Sequence, residues 1–147
     1  MRIIKTEDRL DDCVEIRKAV FVREQGVPVE LEVDEKDEAG SGCDHFLMLD
    51  GADRPFGTFR AYYETETNVH LQRFCVLKEM RGRGFGREAL RFAEEHYARL
   101  GAEKIVLGAQ CTAVPFYEKC GYTAVSEVFL DAGMPHRMMG KTISIPS

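Results

Sequence analysis

At 147 residues, with 44% hydrophobic and 31% charged side chains, the chain is sized for a single domain spanning residues 1–147 with a sizeable core. A net charge of −5 argues against a nucleic-acid or acidic-membrane partner for the whole surface, and no apolar run is long enough to cross a bilayer. The five cysteines (Cys13, Cys43, Cys75, Cys111, Cys120) form no CxxC pair, and MRIIKTEDRL lacks a signal-peptide core, so reduced thiols in a cytoplasmic protein are expected.

In chain order, Arg2–Lys5 can form a short edge strand, and Thr6 offers an N-cap hydroxyl with Glu7 and Asp8 in the first turn. Leu10, Val14, Arg17 and Phe21 fall at near-helical spacing, with Cys13 and Val20 beside them, which predicts a helix to about Glu24, stopped by Gly26 and Pro28. Val29–Glu38 is strongly acidic. It is either a solvated loop or short helix, or a wall that draws in a cationic amine. Ala39–Cys43 follows as a Gly/Ser turn. Cys43 and His45 sit two apart, but no second pair completes a metal set, and no metal is expected.

His45–Leu49, Phe56–Tyr63 and Val69–Val76 read as strands joined by polar turns, an antiparallel meander. Phe85–Leu100 is the strongest helix, with a stripe of Leu90, Ala93, Tyr97 and Leu100, and Gly101 as its stop. Lys104–Ala109 is an apolar strand suited to lie parallel to Val69–Val76 through that helix. Ala113–Lys119 makes a short helix, and Val125–Leu130 with Arg137–Ile145 makes a final hairpin across Asp131–Pro135. The sum is an α+β fold: a mixed, mostly antiparallel sheet of six to seven strands flanked by about four helices.

Between Val76 and the long helix stands Arg81-Gly82-Arg83-Gly84-Phe85-Gly86-Arg87. Glycines let backbone N–H groups crowd an anion, and a helix N-terminus adds partial positive charge. A lysine P-loop is excluded, because neither GxxxxGK[ST] spacing nor a lysine-hydroxyl pair is present. A dinucleotide loop is also disfavoured: the glycines fall one residue short of GxGxxG and follow antiparallel hairpins.

What remains, Arg81-x-x-Gly84-x-Gly86, resembles the [QR]xxGx[GA] acyl-CoA signature of the GNAT N-acetyltransferase superfamily. Downstream, Phe116-Tyr117-Glu118-Lys119-Cys120-Gly121-Tyr122 is similar to that family's FYxxxGF block. More narrowly, Val20–Gln25, Asp34 and Asp37 before His45, Gln110, and Gly133-Met134-Pro135-His136 resemble the ElaA/YjcF-like branch.

The resemblance implies a GNAT-like sheet, acetyl-CoA as cosubstrate without a metal, and direct acetyl transfer to a primary amine of a small molecule. It leaves a homodimer open. It places the CoA pyrophosphate on the amides of Gly82–Arg87, with Arg81 or Arg83 adding a charge-assisted contact. It places the pantetheine arm on Phe74, Cys75 and Val76, and carries Gln110 and Phe116 to the cofactor side. Tyr117 matches the usual general acid, since a phenol with pKa of about 10 is protonated at neutral pH. Its alternative is a tyrosine that packs the short helix. His70 lies where some members keep a base, and a histidine titrates near neutrality. It shares a predicted strand face with Gln72 and Phe74 and can equally be a packed histidine. His136, Glu24 and a water chain are rival bases. Cys75 as a nucleophile has no identifiable His/Asn or His/Asp partner. A non-catalytic acyl-CoA sensor is the alternative to an enzyme.

Overall fold

The computed structural model describes residues 1–38 and 40–143. Ala39 and the expected strand end at Ser144 and Ile145 lie outside them. Among the described residues an eight-stranded sheet runs in the order β1-β2-β3-β4-β5-β8-β6, with β7 also on β8. The strands are β1 (Arg2–Thr6), β2 (Asp44–Leu49), β3 (Pro55–Tyr63), β4 (Asn68–Val76), β5 (Lys104–Gln110), β6 (Thr123–Ala124), β7 (Phe129–Asp131) and β8 (Met134–Thr142). Four α-helices accompany them: α1 (Leu10–Arg17), α2 (Val29–Glu32), α3 (Phe85–Arg99) and α4 (Val114–Lys119). The α+β class holds. By Cα proximity the chain divides into two compact units, Met1–Tyr62 with Arg73–Ala89, and Tyr63–Gln72 with Leu90–Ser147.

In the first unit, the expected edge strand β1 pairs antiparallel with β2, and β2 pairs antiparallel with β3 as the first two strands of the expected meander, with a register shift between Met48 and Leu49. Alternation divides the faces of β2. Leu47 and Leu49 join Cys13, Ile16, Val20 and Cys75 in one apolar cluster. Phe46 lies on the opposite face and stacks on Phe59 at 4.6 Å, which meets Phe74 at 5.8 Å. Each large side chain so buried contributes about 1.5–3 kcal/mol.

The first helix differs from expectation in two ways. Thr6 Oγ1 does accept from the Arg9 backbone N–H at 3.0 Å, but it closes a turn before the helix, which starts at Leu10. After Arg17 the winding continues as a π-helix over Lys18–Glu24. The buried stripe is Cys13, Ile16, Arg17 and Val20: the expected Arg17 with its neighbours Cys13 and Val20 is buried, whereas Leu10, Val14 and Phe21 are only half-buried.

The acidic segment does form a short helix, α2, but it is neither a solvated loop nor an open wall. Arg17 and Arg60 are 1% and 2% exposed and gather its carboxylates. Arg17 Nε donates to Glu32 Oε2 at 2.9 Å, and its two terminal nitrogens reach Asp37. Arg60 grips Asp34 with two bonds of 2.8 Å and reaches Asp37 at 3.1 Å. Hydrogen bonding from Arg60 holds Asp34 down at about 2, from an ordinary 3.8. Burial pushes Glu32 up, against the pull of Arg73 and Arg17. Asp34 and Asp37 also cap the short 3₁₀ turn Glu35–Asp37 reciprocally. Glu30, Glu35 and Glu38 remain exposed.

In the second unit, β4 and β5 pair in parallel over Asn68–Leu71 and Lys104–Leu107, as the crossover through α3 requires. Helix α3 buries Ala89, Leu90, Ala93, Tyr97 and Ala98, whereas the expected Leu100 lies past the helix end and is 63% exposed. β8 pairs antiparallel with β5 along seven positions and also receives β6 and β7. Of the expected strand Val125–Leu130 only Phe129 and Leu130 are strand, in β7, and β6 lies before it; at Ser126 side-chain bonds replace the ladder, its hydroxyl accepting from Met138 N at 2.9 Å and its carbonyl from Arg137 Nε at 3.1 Å. The hairpin turn is the two residues Ala132 and Gly133, at φ 51° and 77°. Paired positive values match the right-handed twist of the flanking strands.

Removing one partner from a buried ion network leaves a charge without compensation. Arg17→Ala is therefore expected to lower the unfolding free energy in urea by about 3–5 kcal/mol. A loss below about 1 kcal/mol would show instead that these carboxylates are solvated.

Candidate active site

The anion loop lies in the first unit. Gly82 and Gly84 take φ values of 77° and 82°, a region that costs most residues but not glycine. A Cβ built on either would meet nothing within 4 Å, so the space over the loop is open. Glu88 N–H donates to the Gly84 carbonyl at 3.1 Å, closing the first turn of α3. The N–H groups of Phe85, Gly86 and Arg87 precede that bond and have no intrahelical acceptor. Phe85 packs its ring on Phe56 at 5.0 Å, which anchors the loop while its backbone remains at the helix start. Arg83 and Arg87 are exposed and enter no ion pair among the described residues. Open space, converging amides and two unpaired guanidiniums fit a diphosphate.

Arg81 is placed differently. Its guanidinium grips Glu24 at 2.7 and 2.8 Å, and its Nε donates to the Val76 carbonyl at 2.9 Å. It thus joins the end of β4 to the π-helix. Hydrogen bonding from Arg81 holds the Glu24 carboxylate below its ordinary range, which makes Glu24 a weak candidate base.

Phe74 and Val76 are half-buried, and Cys75 is fully enclosed in the apolar cluster. Burial pushes the Cys75 thiol far up, so a nucleophilic thiolate is disfavoured there. The predicted alternation of β4 stops at Arg73, whose φ of 54° is left-handed in mid-strand.

The second unit holds the other candidates. Tyr117 is 8% exposed on α4, with Phe116 at 5.1 Å and Tyr122 at 5.9 Å, both edge-on. Tyr122 donates its hydroxyl to Glu94 Oε2 at 3.0 Å, and burial pushes that phenol far up. Lys141 bridges Glu94 Oε1 at 2.8 Å and the Cys120 carbonyl at 2.9 Å, tying the end of α4 to β8.

His136 is buried and pairs across the sheet with Gln110. Its Nδ1 lies 2.7 Å from the Met134 carbonyl, which can only accept; Nδ1 therefore carries a proton, and the neutral form of the ring has its lone pair on Nε2. His70 sits opposite Val106, with Nδ1 3.4 Å from Glu64 Oε1. His45 bonds the Lys36 carbonyl at 2.7 Å, and among the described residues no cluster of three or more ligand-type side chains is placed to hold a metal ion.

Known proteins were compared with this chain. A family model described as an acetyltransferase (GNAT) domain matches residues 11–143. The chain belongs to the GNAT acetyltransferase family. It is 41% identical over 140 residues to the uncharacterized N-acetyltransferase YjcF of Bacillus subtilis, covering 95% of this chain and 96% of that one. An acyl-CoA N-acyltransferase from Pseudomonas aeruginosa superimposes with a TM-score of 0.81 at 26% identity, over 95% and 98% of the two chains. Escherichia coli ElaA superimposes with a TM-score of 0.83 at 24% identity, over 96% and 99%. The resemblance to the ElaA/YjcF-like branch of the GNAT family therefore stands.

Two features of this GNAT acetyltransferase carry no motif: the Glu24–Arg81 pair, and the Tyr122–Glu94–Lys141 group behind α4. Each joins residues at least 28 positions apart. A third, the arginine–carboxylate network, left a trace in Arg17, a charged residue on an apolar helical stripe.

With Cys75 enclosed, iodoacetamide at mildly alkaline pH is expected to label it only after denaturant is added, as peptide mass spectrometry would read. Rapid labelling of the native protein would mean an accessible thiolate.

Proposed function

We propose that this chain acts as a single domain, an acetyl-CoA-dependent N-acetyltransferase that acetylates a primary amine on a small, cationic acceptor in the cytoplasm. The observation that carries the proposal is the loop: left-handed Gly82 and Gly84 under open space, leading directly into the N-terminus of α3. Bound acetyl-CoA would supply the acetyl thioester.

The chain's own groups then have separate tasks. Amides of Gly82–Arg87 bind the pyrophosphate, with Arg83 and Arg87 adding charge, while Arg81 positions the loop through Glu24. Phe74, Cys75 and Val76 line the pantetheine path, with Gln110 and Phe116 on the cofactor side. The amine must lose a proton as its nitrogen bonds the acetyl carbon. His136 Nε2 best fits as acceptor, because its tautomer is held by Met134; His70 is second. The Tyr117 hydroxyl gives its proton to the sulfur as the C–S bond breaks. Alignment of thioester and amine provides much of the rate. Support for a cationic acceptor is narrower than composition suggests, because Glu32, Asp34 and Asp37 are neutralised internally. Of that segment's carboxylates only Glu30, Glu35 and Glu38 are exposed.

Two measurements test these assignments. In calorimetry acetyl-CoA should bind, and Gly84→Val should weaken it by about 10-fold or more, since valine is strained at that φ and occupies the open space. Unchanged affinity would remove the loop from the site. In a thiol-release screen over polyamines, aminoglycosides, amino acids and peptides, Tyr117→Phe should lower kcat by about 10²-fold while leaving acetyl-CoA affinity intact. Binding without turnover of any amine would favour an acyl-CoA sensor.

A further inference from the structure

Arg73 is a non-glycine residue at φ 54° in the middle of β4. A side chain adopts that conformation inside a strand only where its surroundings over-determine it. Here they do, from one side of the guanidinium. Arg73 Nε lies 2.8 Å from Glu32 Oε2, a terminal nitrogen donates to the Leu31 carbonyl at 3.3 Å, and Asp34 Oδ2 stands 3.7 Å away. Nε is buried yet lacks the alignment of a hydrogen bond, so the hold on Glu32 is coulombic. The anchor itself does not yield: Glu32 is bonded by Arg17 at 2.9 Å, and Asp34 by two bonds from Arg60 at 2.8 Å.

The next three residues are fixed on their own account. Phe74 packs on Phe59, Cys75 sits in the apolar cluster, and the Val76 carbonyl accepts from Arg81. The backbone at Arg73 is therefore the joint at which β4 changes course before the Phe74–Val76 segment. We propose that Glu32 and Arg73 are a positioning pair, which holds this joint left-handed and so sets the path of the strand segment along which pantetheine lies. The proposal rests on the acyl-CoA reading of that segment. Neither residue touches the reacting atoms.

Alanine is strained at φ 54° and glycine is not, so glycine at position 73 should give the more stable fold whether or not the pair positions anything. Only a pair that sets the path of the strand carries that difference into the acetyl-CoA affinity of the folded protein, because glycine keeps the left-handed joint without strain and alanine does not. In calorimetry on the full chain, Arg73→Gly should bind acetyl-CoA about five- to tenfold more tightly than Arg73→Ala. Equal affinities, or tighter binding by the alanine variant, would overturn the pair.

Glu32→Gln keeps the shape and provides an independent cycle should the alanine variant fail to fold. It should weaken acetyl-CoA severalfold with Arg73 present and have no further effect in the Arg73→Gly background. The same loss in both backgrounds would equally overturn the proposal. Absence of acetyl-CoA binding by the unaltered protein would instead remove the functional reading beneath it.

Discussion

Guanidiniums cannot be deprotonated away, so burying Arg17 and Arg60 obliges the fold to bring carboxylates to them. That constraint organises the whole first unit. Arg17 projects from α1, Arg60 from β3 and Arg73 from β4, while Glu32, Asp34 and Asp37 come from one acidic segment that runs over all three. Three positive and three negative groups balance, and the acidic stretch is pinned where composition alone would set it free. Such a network adds little net stability over an apolar core of equal volume, but it cannot be half-made. It fixes the geometry of α2 and of the β4 joint more than it deepens the energy well. Stability comes from elsewhere, from the cluster around Leu47, Leu49 and Cys75 and from the stacked Phe46 and Phe59.

The same economy appears around the anion loop. Phe85 and Arg81 face away from the role their motif suggests: one anchors on Phe56, the other on Glu24 and Val76. Their side chains hold the backbone, and on the proposed acyl-CoA reading the backbone amides with Arg83 and Arg87 are left to face the anion. A rigid loop with open space above it is pre-organised, so little ordering remains to be done on binding. In the second unit, Glu94 plays the corresponding part, joining Tyr122 to Lys141 and through it to Cys120 behind the helix that carries Tyr117.

Much of this was legible in the residues. The meander, the β4–α3–β5 crossover, the glycine-rich loop and the FY block follow from local signals: alternation, 3.6-residue periodicity, and glycines where left-handed backbone is needed. Errors came where a local signal met a long-range partner. Thr6 is a good cap by type, but its hydroxyl closes a turn ahead of the helix. The expected strand Val125–Leu130 is cut back to Phe129 and Leu130, with Ser126 bonding across to β8 through its hydroxyl. The acidic run looked solvated because its partners stand up to 41 residues away, from Glu32 to Arg73, on other elements.

By itself, then, the sequence determined the fold class, the family and the chemical character of the loop, because each depends on short-range pattern. Only tertiary structure decided which charges neutralise one another, that Arg81 serves Glu24 in place of an anion, that Cys75 is sealed from solvent, and that Arg73 turns the strand against its own preference. Those outcomes depend on burial and on the meeting of distant side chains. Desolvation turns the same Asp34 or Glu32 from a solvated surface charge into an obligatory partner, and no local window of sequence contains that information.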